Sequence, residues 1–521
     1  MVTVNIADLP IDLPDSYCPL NPLPHAANSR TEVLHLPAEC LHRSLTCPPS
    51  QQVTIWKLSD EVLLNVFRYY LDASPRFWPR LVHTCREWRR IVFTFQRALH
   101  LRLFCTHGTP VLKILDCWPA LPIVVQYYSG SPTPEDQGNI IAALKRSGRV
   151  SSISLIVTRS LLAKFHTIKK QFSELEELVL LSLHNTQLTL PIAFRWGPRL
   201  RRLHLTGIVF PGPALRWRLS SSRNLVDVQL HDISIDRYPS PKVLVNALSG
   251  VARLQSLSLH FLSSPRRNYV GFPPPSGERV NFPSLIRLDF RGITEYLEGL
   301  LARIDAPHLR EIEITFLRVH ELTFDVSALR EFIDRIEMHK SHRRAHILSS
   351  ERAISISLIQ QGAPTSLKLQ LFCEQLSGQL SLMARICIHF SAFLFNVEDL
   401  RIDATQPPGE SLSIGRWRGL VKSFTGVKWF HLDGNHSTNI VHDLQLPDRR
   451  RETVLPALHK LCIQEPEPHY TPLREAIESF MGSCRLSGCF IGVEYGSVWI
   501  NEQRGTGITY AQCQDHTLTC F

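Results

Sequence analysis

His339, His342 and His346 stand three and four residues apart. On a helix that spacing would put three imidazoles on one face, where they could hold a metal ion. Lys340, Arg343 and Arg344 lie among them and would repel a cation, so the spacing predicts a solvated basic helix and no metal. Cys484, Cys489, Cys513, His516 and Cys520 crowd the C-terminus, but their uneven spacing is not that of a zinc site, and none of the 13 cysteines forms a Cys-x-x-Cys pair. No Walker loop and no G-x-G-x-x-G run cradles phosphate; Gly505-Thr506-Gly507 is only a fragment. No G-x-S-x-G or H-E-x-x-H occurs either. The residue types predict a protein that binds rather than catalyses, with no cofactor.

The segment from Trp56 to Phe95 is built for contact. Leu58, Val62, Val66 and Tyr70 recur every four residues with Leu63, Phe67 and Leu71 beside them, a wide apolar helical stripe. Ser59 is placed to cap that helix, and Asp60 and Glu61 favour its dipole. A second helix can open with Pro79 at its first position, and Leu81, Val82, Cys85, Trp88, Ile91, Val92 and Phe95 continue the apolar face. So short a segment cannot bury all these groups by itself, so part of the stripe should meet a partner.

The same residues resemble a known family. Leu58-Ser59-Asp60-Glu61-Val62-Leu63 through Val66-Phe67 resembles the opening of the F-box, with Ser59 where the family has Pro. Thr84-Cys85-Arg86-Glu87-Trp88 resembles its closing motif, with Thr84 where the family has Val. The combination with a repeat array resembles the large F-box families of mushroom-forming fungi. The resemblance implies an all-α module that packs on a Skp-type adaptor and thereby on a cullin–RING ubiquitin ligase, while the rest of the chain holds a protein substrate. It would set Leu58, Glu61, Val62, Leu63, Val66, Phe67, Leu81, Val82, Cys85 and Trp88 at or beneath that interface, with Leu58 and Leu63 nearer the partner and Trp88 nearer the module's own core.

From Val150 onward a template of apolar-x-x-apolar-x-apolar repeats. Its copies begin at Val150, Leu175, Leu200, Leu225, Leu254, Leu285 and Leu309, then at Val397, Val427 and Leu458. Starts 24 to 31 residues apart suit a short strand, two loops and a return helix, and such units stack with parallel strands. The pattern resembles leucine-rich repeats, but the usual ninth-position Asn or Cys is replaced by Leu183, Ile208, Ile233, Leu262, Ile293 and Leu317, and only Asn435 fits. An irregular array with variable helices is expected, with Ala353–Ile359 and Ser366–Phe372 as further repeats in the gap. Strand alternation turns Arg202, His204, Asp227, Gln229, Arg287, Asp289, Glu311, Glu313, Asp399, Arg401, Trp429 and His431 outward as a mixed-charge face for a substrate, with Trp429 as its anchor.

The expected fold class is α+β multidomain: a small all-α module followed by an α/β leucine-rich-repeat-like solenoid with parallel strands. Residues 1–50 read as a poorly ordered leader, 53–96 as the F-box-like helices and 97–145 as a helical and loop connector. Residues 146–470 read as the array and 471–521 as a C-terminal cap. The chain has 521 residues, 44% hydrophobic and 20% charged, as in folded proteins. Its charge of +10 suits acidic partners, but basic runs such as Arg449–Arg451 are short, and nucleic acid is not expected as a partner. With no secretory pattern at the start and no apolar run of spanning length, an intracellular protein without membrane contact is expected, cytoplasmic or nuclear, with reduced cysteines.

Overall fold

The template positions explain the fold. In a strand, alternate side chains point to opposite faces, so the fourth and sixth positions of each copy share one face. In the computed structural model they are buried in every copy: Leu178 and Leu180, Leu203 and Leu205, Leu288 and Phe290, Leu400 and Ile402, Phe430 and Leu432. The structure describes residues 58–495 apart from short internal stretches, the longest being 263–278 and 405–415. All described residues belong to one compact unit. The leader, Cys489, Cys513, His516, Cys520, His339, Asn435, Gly505–Gly507 and the Arg449–Arg451 run lie outside the described residues, while Cys484 falls on the helix Thr471–Leu486.

Three helices open the described chain: α1 (Asp60–Ala73), α2 (Trp78–Thr84) and α3 (Arg86–Thr94). One sheet of sixteen strands follows. In chain order its first nine strands are β1 (Leu103–Cys105), β2 (Ile123–Tyr127), β3 (Val150–Val157), β4 (Glu177–Ser182), β5 (Arg202–Thr206), β6 (Asp227–Ile233), β7 (Ser256–Phe261), β8 (Arg287–Gly292) and β9 (Glu311–Phe316). Then come β10 (Arg344–Ser349), β11 (Ala353–Ile359), β12 (Thr365–Phe372), β13 (Asp399–Ala404), β14 (Trp429–Asp433), β15 (Lys460–Ile463) and β16 (Gly492–Tyr495). From β1 to β9 each strand pairs in parallel with the next, and β13 to β16 do the same. Helices such as Pro241–Leu248, Thr294–Leu301 and Arg416–Val421 return the chain between strands. The result is a mixed α/β repeat with a long, mostly parallel sheet.

Three expectations are corrected. The segments Ala353–Ile359 and Ser366–Phe372 are not two further strand-and-helix repeats: Ser366–Phe372 does pair in parallel with β9, but Ala353–Ile359 runs the other way. They belong to a meander in which β11 runs antiparallel to both β10 and β12. The meander is laid down in reverse, so that β12 pairs with β9 and β10 with β13. Turns of one or a few residues can join antiparallel neighbours but not parallel ones, and the short links between these strands leave no room for a return helix. The sheet also begins in the segment expected to be a connector, at Leu103, and its last strand lies in the segment expected to be a cap. Finally, the described part of the histidine segment is not helical: His346 lies on β10 and His342 is buried just before it.

The apolar ninth positions have a plain role. Ile208, Ile233 and Leu317 are buried and Leu183, Leu262 and Ile293 half-buried, so at the first three the turn after the strand is fixed by packing rather than by an asparagine ladder. At β6 the turn is also bulged between Leu230 and Ile233, with Asp232 at φ 53°, a left-handed conformation that Asp tolerates better than most residues.

The helical module is sealed to the start of the sheet. Trp78 is buried, its ring meets Trp118 edge-on at 4.9 Å, and its indole N–H donates to the Arg102 carbonyl at 2.7 Å. Asp60 in the first turn of α1 receives Arg90 from α3 at 2.7 Å. Ser59 precedes α1 with extended backbone but makes no side-chain cap; its carbonyl accepts from the Leu63 N–H instead. Cys85 takes the capping role at α3, its Sγ accepting from the Trp88 N–H at 3.4 Å.

Candidate interaction surfaces

Two surfaces carry the residues singled out by the sequence. The first is α1. Its inner face holds Leu63, Phe67 and Leu71 in the core, and Phe67 meets Trp88 edge-on at 4.8 Å. Leu81 and Val82 are buried as well. Leu58, Cys85 and Trp88 are half-buried, and Glu61 is exposed. The expectation that Leu63 faces a partner is therefore corrected: at 4% exposure it is core, because the inner stripe packs inward, with Phe67 against Trp88 of α3. The same helix leaves Val62, Val66 and Tyr69 at 44, 49 and 83% exposure. Tyr69 had not been singled out, although it stands three residues after Val66 and so on the same face.

The second surface is the outward face of the sheet. Register brings the expected residues together there: Arg202 opposite Asp227, His204 opposite Gln229, Arg287 opposite Glu311, Asp289 opposite Glu313, Asp399 opposite Trp429 and Arg401 opposite His431. Most do not stand free. Arg202 pairs with Glu177 at 3.0 Å, Arg287 with Glu311 at 3.8 Å and Glu313 with Lys368 at 2.7 Å. Arg401, expected exposed, is buried at 9%, held between Asp403 at 2.6 Å and Asp433 at 2.8 Å. Asp399 lies between Arg344 at 3.6 Å and His431 at 3.2 Å. Burial opposes charge on His431, but Asp399 and Cys462 outweigh it and raise its pKa to about 9. Trp429 is the expected residue that stays open to solvent with a large apolar surface, at 43% exposure.

Residues beyond the third and fifth template positions complete this face. At the seventh position lie His231, His260, Asp403 and Asp433, and alternation extended by one step would have found them. His231 and His260 stack at 4.0 Å, with His204 edge-on to His231 at 5.1 Å. The Ser258 hydroxyl donates to Asp289 at 2.8 Å, so its oxygen is left to accept from His231 Nε2–H at 2.8 Å. His260 Nε2 lies 2.9 Å from the same Asp289 oxygen. Burial, aided by the neighbouring imidazoles, drives the His231 pKa down to about 3 and lowers that of His204. Burial alone would raise Asp289, but its bonds to His260 and Ser258 hold it low. This is not a catalytic triad: one nitrogen of His260 faces both the serine and the aspartate, whereas relay chemistry uses opposite nitrogens of the ring.

Among the described residues no group of three or more His, Cys, Asp or Glu side chains is arranged to hold a metal ion. No helix among them is long and apolar enough to cross a membrane. Two small cavities stand out, one near Cys105, Tyr127 and Asp136 and one apolar void under Ile356, Leu369 and Phe390. Neither has room for more than about one water.

The class that fold and surfaces define is a mixed α/β repeat protein of leucine-rich-repeat-like build. No family description matches the sequence, nor does any curated protein. Among solved structures, the leucine-rich repeat-containing protein LegL7 from Legionella pneumophila matches at 12% identity, over 73% of this chain and 98% of that one, with a TM-score of 0.26. At that score the likeness carries no argument, and the class rests on the strand register itself.

Proposed function

We propose that this chain is a non-enzymatic adaptor. Its helical module docks on a Skp-type protein of a cullin–RING ubiquitin ligase, and its repeat sheet holds a protein substrate. The observation that carries the reading is the split of α1: one face is locked into the core, while Val62, Val66 and Tyr69 leave an apolar stripe in water. Large exposed apolar groups grouped on one helix face mark interaction sites. The resemblance of Leu58–Phe67 and Thr84–Trp88 to the F-box supplies the identity of the partner. A polar sheet face about sixteen strands wide suits a substrate receptor, which works by holding its target near the ubiquitin-conjugating enzyme rather than by chemistry of its own.

Co-expression with a Skp-type adaptor tests this reading. Wild-type chain should co-elute with the adaptor on gel filtration, and Val62→Glu/Val66→Glu should elute alone while keeping its circular dichroism spectrum. Elution of well-folded wild type without the adaptor would overturn the ligase reading and leave a repeat scaffold that binds partners for another purpose.

A further inference from the structure

Just before strands β4 to β9 the chain turns in, and the residue there is exposed at Glu176, Arg201, Gln255, Ile286 and Arg310 and half-buried at Val226. Across these six strands the residues are joined by an unbroken backbone ladder. The Arg201 N–H donates to the Glu176 carbonyl, Val226 to Arg201, Gln255 to Val226, Ile286 to Gln255 and Arg310 to Ile286, each at 2.8 Å. Their side chains therefore stand in file at the strand spacing, so that Arg201 and Arg310 are about 19 Å apart. Beside this file the turns add Arg223 and Arg253, both exposed. Neighbouring cations at this end of the array are matched, as in Arg199 with Glu174 and Arg202 with Glu177. Arg201, Arg223, Arg253 and Arg310 have no carboxylate partner among the described residues; Arg253 reaches only the Asn224 amide oxygen, at 3.4 Å. Ile286, 37% exposed, sits in the file immediately before Arg310.

We infer that this strand-start rim is a docking edge for an extended acidic segment of a protein, with arginines meeting its carboxylates and Ile286 receiving an apolar side chain. The inference rests on the reading of the array as the partner-binding part of the chain. Four unmatched guanidiniums favour an anionic partner. Two features choose a peptide over a nucleic acid. Glu176 and Glu177 flank the rim and would oppose a polymer charged at every unit. The exposed apolar residue of the rim is aliphatic, whereas single strands are held by stacking on aromatic rings.

The test is fluorescence anisotropy on the full chain with a labelled 20-residue peptide alternating Glu and Leu-Ala steps. The comparison probes are its Lys counterpart and a 20-nucleotide single strand. Wild type should prefer the acidic peptide, and Arg201→Glu/Arg223→Glu/Arg253→Glu/Arg310→Glu should bind it at least tenfold more weakly in low salt, with a smaller loss as salt rises. The four neutral Gln substitutions provide a second variant in case charge reversal disturbs folding; they should weaken binding in the same direction. No binding by wild type, equal binding by the Gln variant, or tighter binding of the oligonucleotide would overturn the inference. Docking of the Skp-type adaptor, measured on the same variants, should be unchanged. A failed rim with adaptor docking intact would sink this inference alone, and a failed adaptor with the rim intact would sink the ligase reading alone.

Discussion

His231 shows how one side chain ties the sheet face to pH. Its N–H is spent on Ser258 and its ring lies flat on His260, so a proton added to it would be poorly solvated and close to other imidazoles. With a folded pKa of about 3 against 6.5 when unfolded, the unfolded chain takes up the proton first as pH falls. Stability from this residue is therefore full above pH 6.5 and is lost progressively from there toward pH 3. Asp289, His204 and His260 face the same cluster, and Asp289, held low, adds loss at the acid end. His231→Gln keeps a donor for Ser258 but cannot titrate. Between pH 7 and 4.5 the wild type should lose about 1–2 kcal/mol more than this variant in urea melts, after allowance for partial exposure; identical slopes would refute the assignment. In the sequence His204 was legible as outward-facing, but its partners were not. His231 and His260 lie one alternation step past the template, and their pairing depends on which strands become neighbours. His346 was misread because its three-and-four spacing fits a helix, while the alternation of Ala345, Ile347 and Ser349 contains only one large apolar residue.

Single contacts between neighbouring units hold the elements in place. Glu298, on the helix Thr294–Leu301, accepts the N–H groups of Ala328 at 2.6 Å and Leu329 at 3.0 Å and so caps the next unit's helix, Ser327–Arg335, whose N-cap residue Val326 makes no cap and whose Asp325 accepts from the Ser327 N–H. Burial raises its pKa to about 7, against the pull of those two bonds. Its contribution is thus present below pH 4.5 and declines as pH rises through 7. Glu298→Ala would leave both donors without an acceptor and should cost about 1–2 kcal/mol in denaturant melts; a change under roughly 0.3 kcal/mol would contradict the cap. Gly426 marks a close approach: a Cβ there would collide with the Phe395 carbonyl oxygen. Gly426→Ala should destabilise by roughly 1–3 kcal/mol, and a neutral effect by thermal melt would show that the loop yields freely. Helix α1 was legible because its stripe has helical period. Which half of the stripe is core was not, because that is decided by packing on α3, as in Phe67 against Trp88, which the local pattern does not contain.

At the scale of the whole molecule, the parallel array followed from the spacing of Leu178, Leu203, Val228, Leu257 and Leu288, each of which falls in register on its neighbour. The reversed meander did not follow, because β11 and β12 carry the same alternating apolar residues whichever way they run. Their direction is set by links too short for a helix. The module and the sheet share one core through Trp78, Trp118 and Leu103, so Trp78→Ala should cost about 3–5 kcal/mol and lower the melting of the whole chain in one transition; a separate early transition of the helices alone would contradict a shared core. That continuity would make the module a rigid handle on the sheet, which an adaptor needs if it is to hold a substrate at a fixed place. The most direct measurement is a calorimetric titration of the full chain with a Skp-type adaptor, beside Val62→Glu/Val66→Glu and the rim variant. The account predicts one-to-one binding by wild type, its loss in the α1 variant and its retention in the rim variant. Absence of heat with folded wild type, or equal binding by the α1 variant, would contradict it.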